Sequence, residues 1–320
     1  MNAPAMVAQP SADGPADCMR VTADDGHPID VHEWAPAMPA RAMVLISHGM
    51  GEHGRRYRHT AAHLNSNGLH VFAHDHRGHG QRELDAGRAG DLGAGGFEAL
   101  VDDIALVCSA LRARHPALPL VLLGHSMGSF AAQIFVIRHS ALIDALVLSG
   151  SAALDLREAQ RRRTESNPAP VRRLESYNAA IPDARTPFDW LSRDPAVVDA
   201  YLADPLCGHS LDAASRRTMV EAALRAARPD LLRAIAPSLP VLILSGECDP
   251  VNDSLRWHDP LVARYQALGL DEVSARIYPG ARHEILNETN RDEVHADLVA
   301  WIDRVSARRD CRDESARAPR

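Results

Sequence analysis

The sequence predicts an α/β protein: a mostly parallel central sheet flanked by helices, with a helical cap inserted along its length. Three observations carry this. First, short apolar runs alternate with helical patterns: MVLIS (43–47), LHVFA (69–73), LVLLG (120–124), ALVLS (145–149), VLILS (241–245) and ARIY (275–278). Near-continuous Val/Leu/Ile runs bounded by turn residues suit strands buried on both faces, as in a parallel sheet. Second, the segment between two of these runs, Phe97 to Arg114, places Phe97, Val101, Ile104, Cys108 and Leu111 on one helical stripe. Third, the alternation stops from about Ser151 to Pro237, where helical fragments, scattered prolines and an arginine cluster (REAQRRR, then VRRL) replace it. The expected organisation is a disordered tail over 1–17, a first core segment over 18–150, a cap over 151–237, a second core segment over 238–306 and a charged disordered tail over 307–320. The cap is expected over the carboxyl edge of the sheet, where ligands bind in open α/β folds.

Composition narrows the chemistry. The 35 Lys+Arg residues are all arginine, which excludes Schiff-base and pyridoxal-phosphate chemistry, a Ser-Lys dyad and a phosphate-loop nucleotide site, because each needs a lysine amine. A net charge of -7 without a basic, aromatic-interleaved face disfavours nucleic-acid binding. No run approaches the ~18 apolar residues of a membrane span, and the first residues, MNAPAMVAQPSADGPADC, have neither a basic start nor an apolar core of a secretory signal. Five cysteines, an odd number without framework spacing, read as free thiols and point to the cytoplasm.

One pentapeptide carries the reaction. In Gly124-His125-Ser126-Met127-Gly128 a strand-like run turns at once into a helix-compatible segment, SFAAQIFVI. The G-x-S-x-G corner exposes a serine hydroxyl, and glycines flank it because a Cβ there would strike neighbouring backbone. Such a hydroxyl is a weak nucleophile until a base takes its proton, and the base needs a group that fixes its tautomer. The order expected is Ser, then acid, then His, each after a strand. After VLILS stands Asp249, with Glu247 and Asp253 close enough to be alternatives; after ARIYPGAR stands His283. Asp144 lies at the wrong end of its strand, His258 and His295 fall within helical patterns, and His209 lies in the inserted segment.

Donors for a developing oxyanion are expected from the amide of Met127, the residue after the nucleophile, and from the amide of Met50 in the loop of MVLISHGMGEH. In FAHDHRGHG (72–80), His74, His76 and His79 resemble a zinc-hydrolase H-x-H-x-x-H set. The aspartate usual before the third histidine is Gly78 here. The expectation is therefore imidazoles that brace a turn beside the site, with no metal and no organic cofactor.

The stretches SHGMGEHGRRYRH (47–59), VFAHDHRGHGQ (71–81), LLGHSMGS (122–129), the DPL of Asp204 to Leu206 and IYPGARHEILNE (277–288) resemble the monoacylglycerol lipase and lysophospholipase group of the α/β-hydrolase family. The resemblance spans about 40 to 305 and is patchy in the cap. It implies serine esterase action on a small-molecule, single-chain acyl ester, with Ser126, Asp249 and His283 as triad and Met50 and Met127 as amide donors. It also implies that Glu52 and Arg56 lie near the alcohol group of the substrate, a structural ion pair under the loop being the alternative. Two departures stand out: Leu286 occupies the place where the mammalian lipases carry a further histidine, and the cap is richer in arginine than a membrane-docking lid. Transient contact of the cap with lipid aggregates is the remaining partner expectation. A thioester or peptide substrate, with Glu165, Glu175 or Asp183 binding an ammonium, and a non-catalytic binding role are the competing readings.

Overall fold

A computed structural model of the protein describes residues 7–9, 17–164 and 174–317. Among the described residues nine strands form one sheet: β1 (Val7–Gln9), β2 (Asp17–Thr22), β3 (Pro28–Trp34), β4 (Ala42–Ser47), β5 (Leu69–His74), β6 (Leu120–His125), β7 (Ala145–Ser149), β8 (Val241–Gly246) and β9 (Val273–Tyr278), in the order β1-β2-β3-β5-β4-β6-β7-β8-β9. From β5 onward every pairing is parallel, while β1, β2 and β3 join antiparallel at one edge. The helices are α1 (Arg58–Ser66), α2 (Gly80–Asp85), α3 (Gly96–Arg114), α4 (Met127–His139), α5 (Leu154–Thr164), α6 (Pro195–Ala203), α7 (Ala213–Ala226), α8 (Pro229–Leu232), α9 (His258–Gln266) and α10 (Arg291–Arg317).

The continuous apolar runs have a simple cause. Successive side chains of a strand point to opposite faces, and both faces of the central strands are covered. Met43, Leu45, Leu120, Leu122, Leu146 and Leu148 pack against α3 and α4 in one cluster, with Phe97, Leu100, Phe130 and Phe135. Val44, Ile46, Val121, Leu123 and Val147 face the other way, onto Ala61 and Leu64 of α1 and Leu298 and Ile302 of α10.

Three expectations change. The hairpin β2–β3 and its partner β1 were hidden, because Met19 and Val21 alternate with outward-facing neighbours instead of forming a run. β1 lies within the stretch expected to be a disordered tail; residues 1–6 and 10–16 of that stretch fall outside the described residues. β9 is the last strand of the sheet, and Ile277 on it is 40% exposed, so it is not buried on both faces. At the other terminus α10 continues as helix to Arg317, through most of the stretch expected to be a charged tail. Between β7 and β8 lie α5, the 3-10 segment Leu174–Ala180, α6, α7 and α8, with no strand among the described residues there. Cys18, Cys108, Cys207 and Cys248 are free thiols.

Phe135 is fully buried between α4 and the sheet. Phe135→Ala is expected to lower unfolding free energy by about 3–5 kcal/mol, a loss that urea denaturation would measure directly.

Candidate active site

The corner after β6 is the strained element of the fold. Ser126 has φ 51 and ψ -118, a conformation that non-glycine residues adopt only where the surroundings enforce it. Its amide donates to the Ser149 carbonyl of β7 at 2.9 Å, which ties the corner to the sheet. The glycines flanking it are required by close approach: a Cβ on Gly128 would lie 2.0 Å from the Ser47 carbonyl oxygen, and one on Gly124 would lie 2.6 Å from the Gly128 carbonyl oxygen. The start of α4 thus lies against the end of β4, and Ser126, partly exposed between buried neighbours, lines a cleft.

His283, 1% exposed, lines the same cleft. Its Nδ1 lies 2.9 Å from both carboxylate oxygens of Asp249. Asp249 also accepts the Val251 amide at 2.8 Å and a bond from Asn252 at 3.5 Å. With Nδ1–H donating to the carboxylate, Nε2 carries the lone pair, and among the described residues it is buried without a hydrogen-bond partner. Such an imidazole is set up to accept a proton from within the cleft. The structure brings Asp249, not Glu247 or Asp253, to the imidazole: Glu247 is exposed and accepts the Gly280 amide, and Asp253 is exposed beside Arg256.

Met50 and Met127 also line the cleft. Neither of their amides has a backbone acceptor among the described residues. The loop bearing Met50 is held from below by Glu52, which accepts the Gly49 amide at 2.5 Å and the Tyr57 hydroxyl at 2.9 Å. Arg56 donates to Glu52 at 2.6 Å and forks onto Glu284 at 2.7 and 2.9 Å, so one guanidinium joins this loop to the residue after His283. Burial works against the Glu284 charge, yet Arg56 holds its carboxyl down at about 2. Glu52 and Glu284 line the cleft, and Arg56 joins them into an ion cluster that braces two loops.

The cap grips both loops. The carbonyls of Trp190 and Leu191 accept the amides of His283 and Glu284 at 3.4 and 2.7 Å, and the Tyr201 hydroxyl donates to the Gly51 carbonyl at 2.8 Å. These contacts had no sequence signal beyond the DPL triplet near Tyr201. Glu284 and Asn252 could have been found by position, each lying within three residues of a named site residue.

His74 and His76 form a buried chain with Ser47: Ser47 Oγ to His76 Nε2 at 3.1 Å, and His76 Nδ1 to His74 Nε2 at 3.2 Å. His48 accepts the His76 amide and His79 accepts the Gly51 amide. Their nitrogens are directed to one another and to backbone rather than to a common point. His209 bonds the Gly78 carbonyl, His258 pairs with Asp259 and His295 bonds Thr60, so none of the three joins the cleft. Leu286 is a buried packing residue.

The sheet order and a cleft at the carboxyl ends of its parallel strands define an α/β hydrolase. A family model described as serine aminopeptidase, S33, matches residues 38–290, and the chain belongs to this family. It is 33% identical over 273 residues to a monoacylglycerol lipase of Mycolicibacterium smegmatis, spanning 84% of this chain and 90% of that protein. It is 29% identical over 292 residues to human monoglyceride lipase, spanning 88% and 89% of the two chains. Among solved structures, a thermostable carboxyl esterase from Bacillus coagulans in complex with glycerol superposes with a TM-score of 0.78 at 25% identity, covering 92% of this chain and all of that one.

Two tests follow from the geometry. Burial lowers His74, His125 and His295 to about 4 and His48 to about 3. These groups stay neutral in the folded protein while the unfolded chain takes up protons below its ordinary value near 6.5. Their contribution is present above 6.5 and is lost as pH falls towards 4, by about 1.4 kcal/mol per unit for each histidine. His32, raised to about 9 by Asp75 against the opposing effect of burial, does not offset this, since its stabilisation is already complete below 6.5. Urea midpoints should therefore fall steeply between pH 6.5 and 4.5. Separately, Glu52→Ala removes the acceptor of the Gly49 amide. A kcat lowered up to about 100-fold by loop displacement is expected in initial-rate assays on p-nitrophenyl butyrate.

Proposed function

We propose that the protein is a carboxylic ester hydrolase that cleaves single-chain acyl esters, of the monoacylglycerol or lysophospholipid type, through a Ser126–His283–Asp249 triad and an acyl-enzyme. The observation that carries the reading is the His283 imidazole: it is anchored through Nδ1 on Asp249, and its Nε2 is unpaired in the cleft that Ser126 lines. The names borne by the lipase relatives and the esterase structure favour an ester over other acyl bonds.

In this mechanism the ester carbonyl lies over Ser126, and His283 Nε2 takes the hydroxyl proton as Oγ attacks. Asp249 keeps the imidazole in the right tautomer and stabilises the imidazolium. The Met50 and Met127 amides donate to the oxyanion, each such donor contributing about 3–4 kcal/mol to the transition state. His283 then protonates the leaving alcohol. Water repeats the sequence on the acyl-enzyme, with no metal or organic cofactor in either half. Leu154, Phe130 and Met219 give the cleft apolar wall for methylenes, each worth about 0.8 kcal/mol when buried.

A peptide substrate is less well served. Glu175 and Asp183 are exposed and absent from the cleft lining, whereas Glu165 lies outside the described residues. Among the described residues no helix is long and apolar enough to cross a membrane. Three leucines of the cap, Leu156, Leu202 and Leu224, are 39–44% exposed and supply the apolar contact that a passing lipid aggregate needs.

Ser126→Ala is expected to lower ester turnover by about 10⁵-fold or more with an unchanged circular dichroism spectrum, and to abolish labelling by a fluorophosphonate. Unmodified protein that refuses the probe would leave the scaffold as a binding protein instead.

A further inference from the structure

The cleft has two electrically different parts. In one, Glu52 and Glu284 line the wall and share the guanidinium of Arg56, one cation between two carboxylates. In the other, Arg157 from the first turn of α5 lines the wall beside Tyr177 and Val251. Arg157 is 8% exposed. Among the described residues its hydrogen bonds go to the Tyr177 hydroxyl and, at 3.4 Å, to the Val251 carbonyl, and its guanidinium carbon lies 5.2 Å from the centre of the Tyr177 ring. Both partners are uncharged. Neither nearby carboxylate forms an ion pair with it among the described residues: Glu158 pairs with Arg161 at 2.8 Å, and Asp249 accepts the hydrogen bond of the His283 imidazole.

A guanidinium cannot shed its proton to escape burial. Taking it from water without a counter-charge is costly, and the cost is recovered when an anion with matching acceptors arrives. A neutral monoester offers the guanidinium no such partner. We infer that the natural substrate is an anionic single-chain ester, one carrying a carboxylate or phosphate remote from the scissile carbonyl, and that Arg157 binds this group. The inference rests on the ester-hydrolase reading above and narrows its substrate class. The apolar residues Leu154, Phe130 and Met219 then hold the methylenes that separate the two ends of the substrate.

The test compares kcat/KM for matched pairs. On the acyl side these are p-nitrophenyl monoesters of adipic, suberic and sebacic acids against the hexanoate, octanoate and decanoate. On the alcohol side they are 1-acyl-glycerol-3-phosphate against the monoacylglycerol of the same chain. The unmodified enzyme should favour the anionic member of at least one pair by about 10- to 100-fold, as one charge-assisted contact provides, with the preference shrinking as sodium chloride rises from 50 to 500 mM. The pair that responds identifies which side of the ester bears the charge. In Arg157→Gln the anionic-to-neutral ratio of kcat/KM should fall towards one, and Arg157→Lys should restore part of it. Rates on both members falling together in Arg157→Gln would overturn the proposal and leave Arg157 a packing residue. Should that variant fail to fold, the unmodified enzyme decides: preference for the neutral member in every pair overturns the inference. An enzyme that takes a fluorophosphonate at Ser126 yet favours neutral esters defeats this inference alone, whereas one that takes no label defeats the hydrolase reading beneath it.

Discussion

The structure depends on one close approach, the backbone of Gly128 against the carbonyls of Ser47 and His48. A Cβ at Gly128 would lie 2.0 Å from one and 2.6 Å from the other. Because nothing stands there, the first turn of α4 seats directly on the end of β4. The corner bearing Ser126 and the loop bearing Gly49 and Met50 are thereby held within reach of each other by backbone alone. The positive φ of Ser126 is a cost of about 1–3 kcal/mol, and the buried sheet beneath, with β4 and β6 in parallel register from Met43↔Leu120 to Ser47↔Gly124, over-determines it.

Around that corner, polar groups are buried in two ways that differ in energy. The imidazoles of His48, His74 and His76 are kept neutral by burial: His48 accepts the His76 amide, and His74 Nε2 bonds His76 Nδ1. The Glu52–Arg56–Glu284 cluster is kept charged, because a cation shared by two carboxylates offsets the desolvation of all three. Neutral groups set the shape of the loop after β4, and the charged cluster ties that loop to the one carrying His283. The cap adds main-chain bonds to both loops through Trp190, Leu191 and Tyr201, so it takes part in positioning as well as in covering.

How much of this was legible in the sequence follows from the range of the interactions. The central strands could be read because burial on both faces turns a period of two into a continuous apolar run, as at Val121 to Leu123. The hairpin β2–β3 could not, since a strand covered on one face at a sheet edge shows only alternation. Ser126 and His283 announced themselves through turns with special residues. Asp249 could be placed only among three neighbouring acids, because which carboxylate meets an imidazole 34 residues away is a matter of loop path. Glu52 and Arg56 were visible as a pattern, but their common partner Glu284 lies 228 residues beyond Arg56. No local spacing encodes such a contact.

The arginines of the cap raise a question of a different kind, since REAQRRR reads in sequence only as an arginine cluster. On α5 these residues part company. Arg161 pairs with Glu158, whereas Arg157, four residues earlier and on the same helical face, turns into the cleft against a phenol and a carbonyl. A helix places residues i and i+4 side by side, so the same stripe carries one cation neutralised by its own helix and one left to be neutralised by something else. The cleft therefore holds an electrostatic asymmetry that its apolar lining does not explain. The proposed reaction needs only a hydroxyl, an imidazole and two amides, so Arg157 has no part in it, and its buried charge is assigned by the proposal to the recognition of what enters.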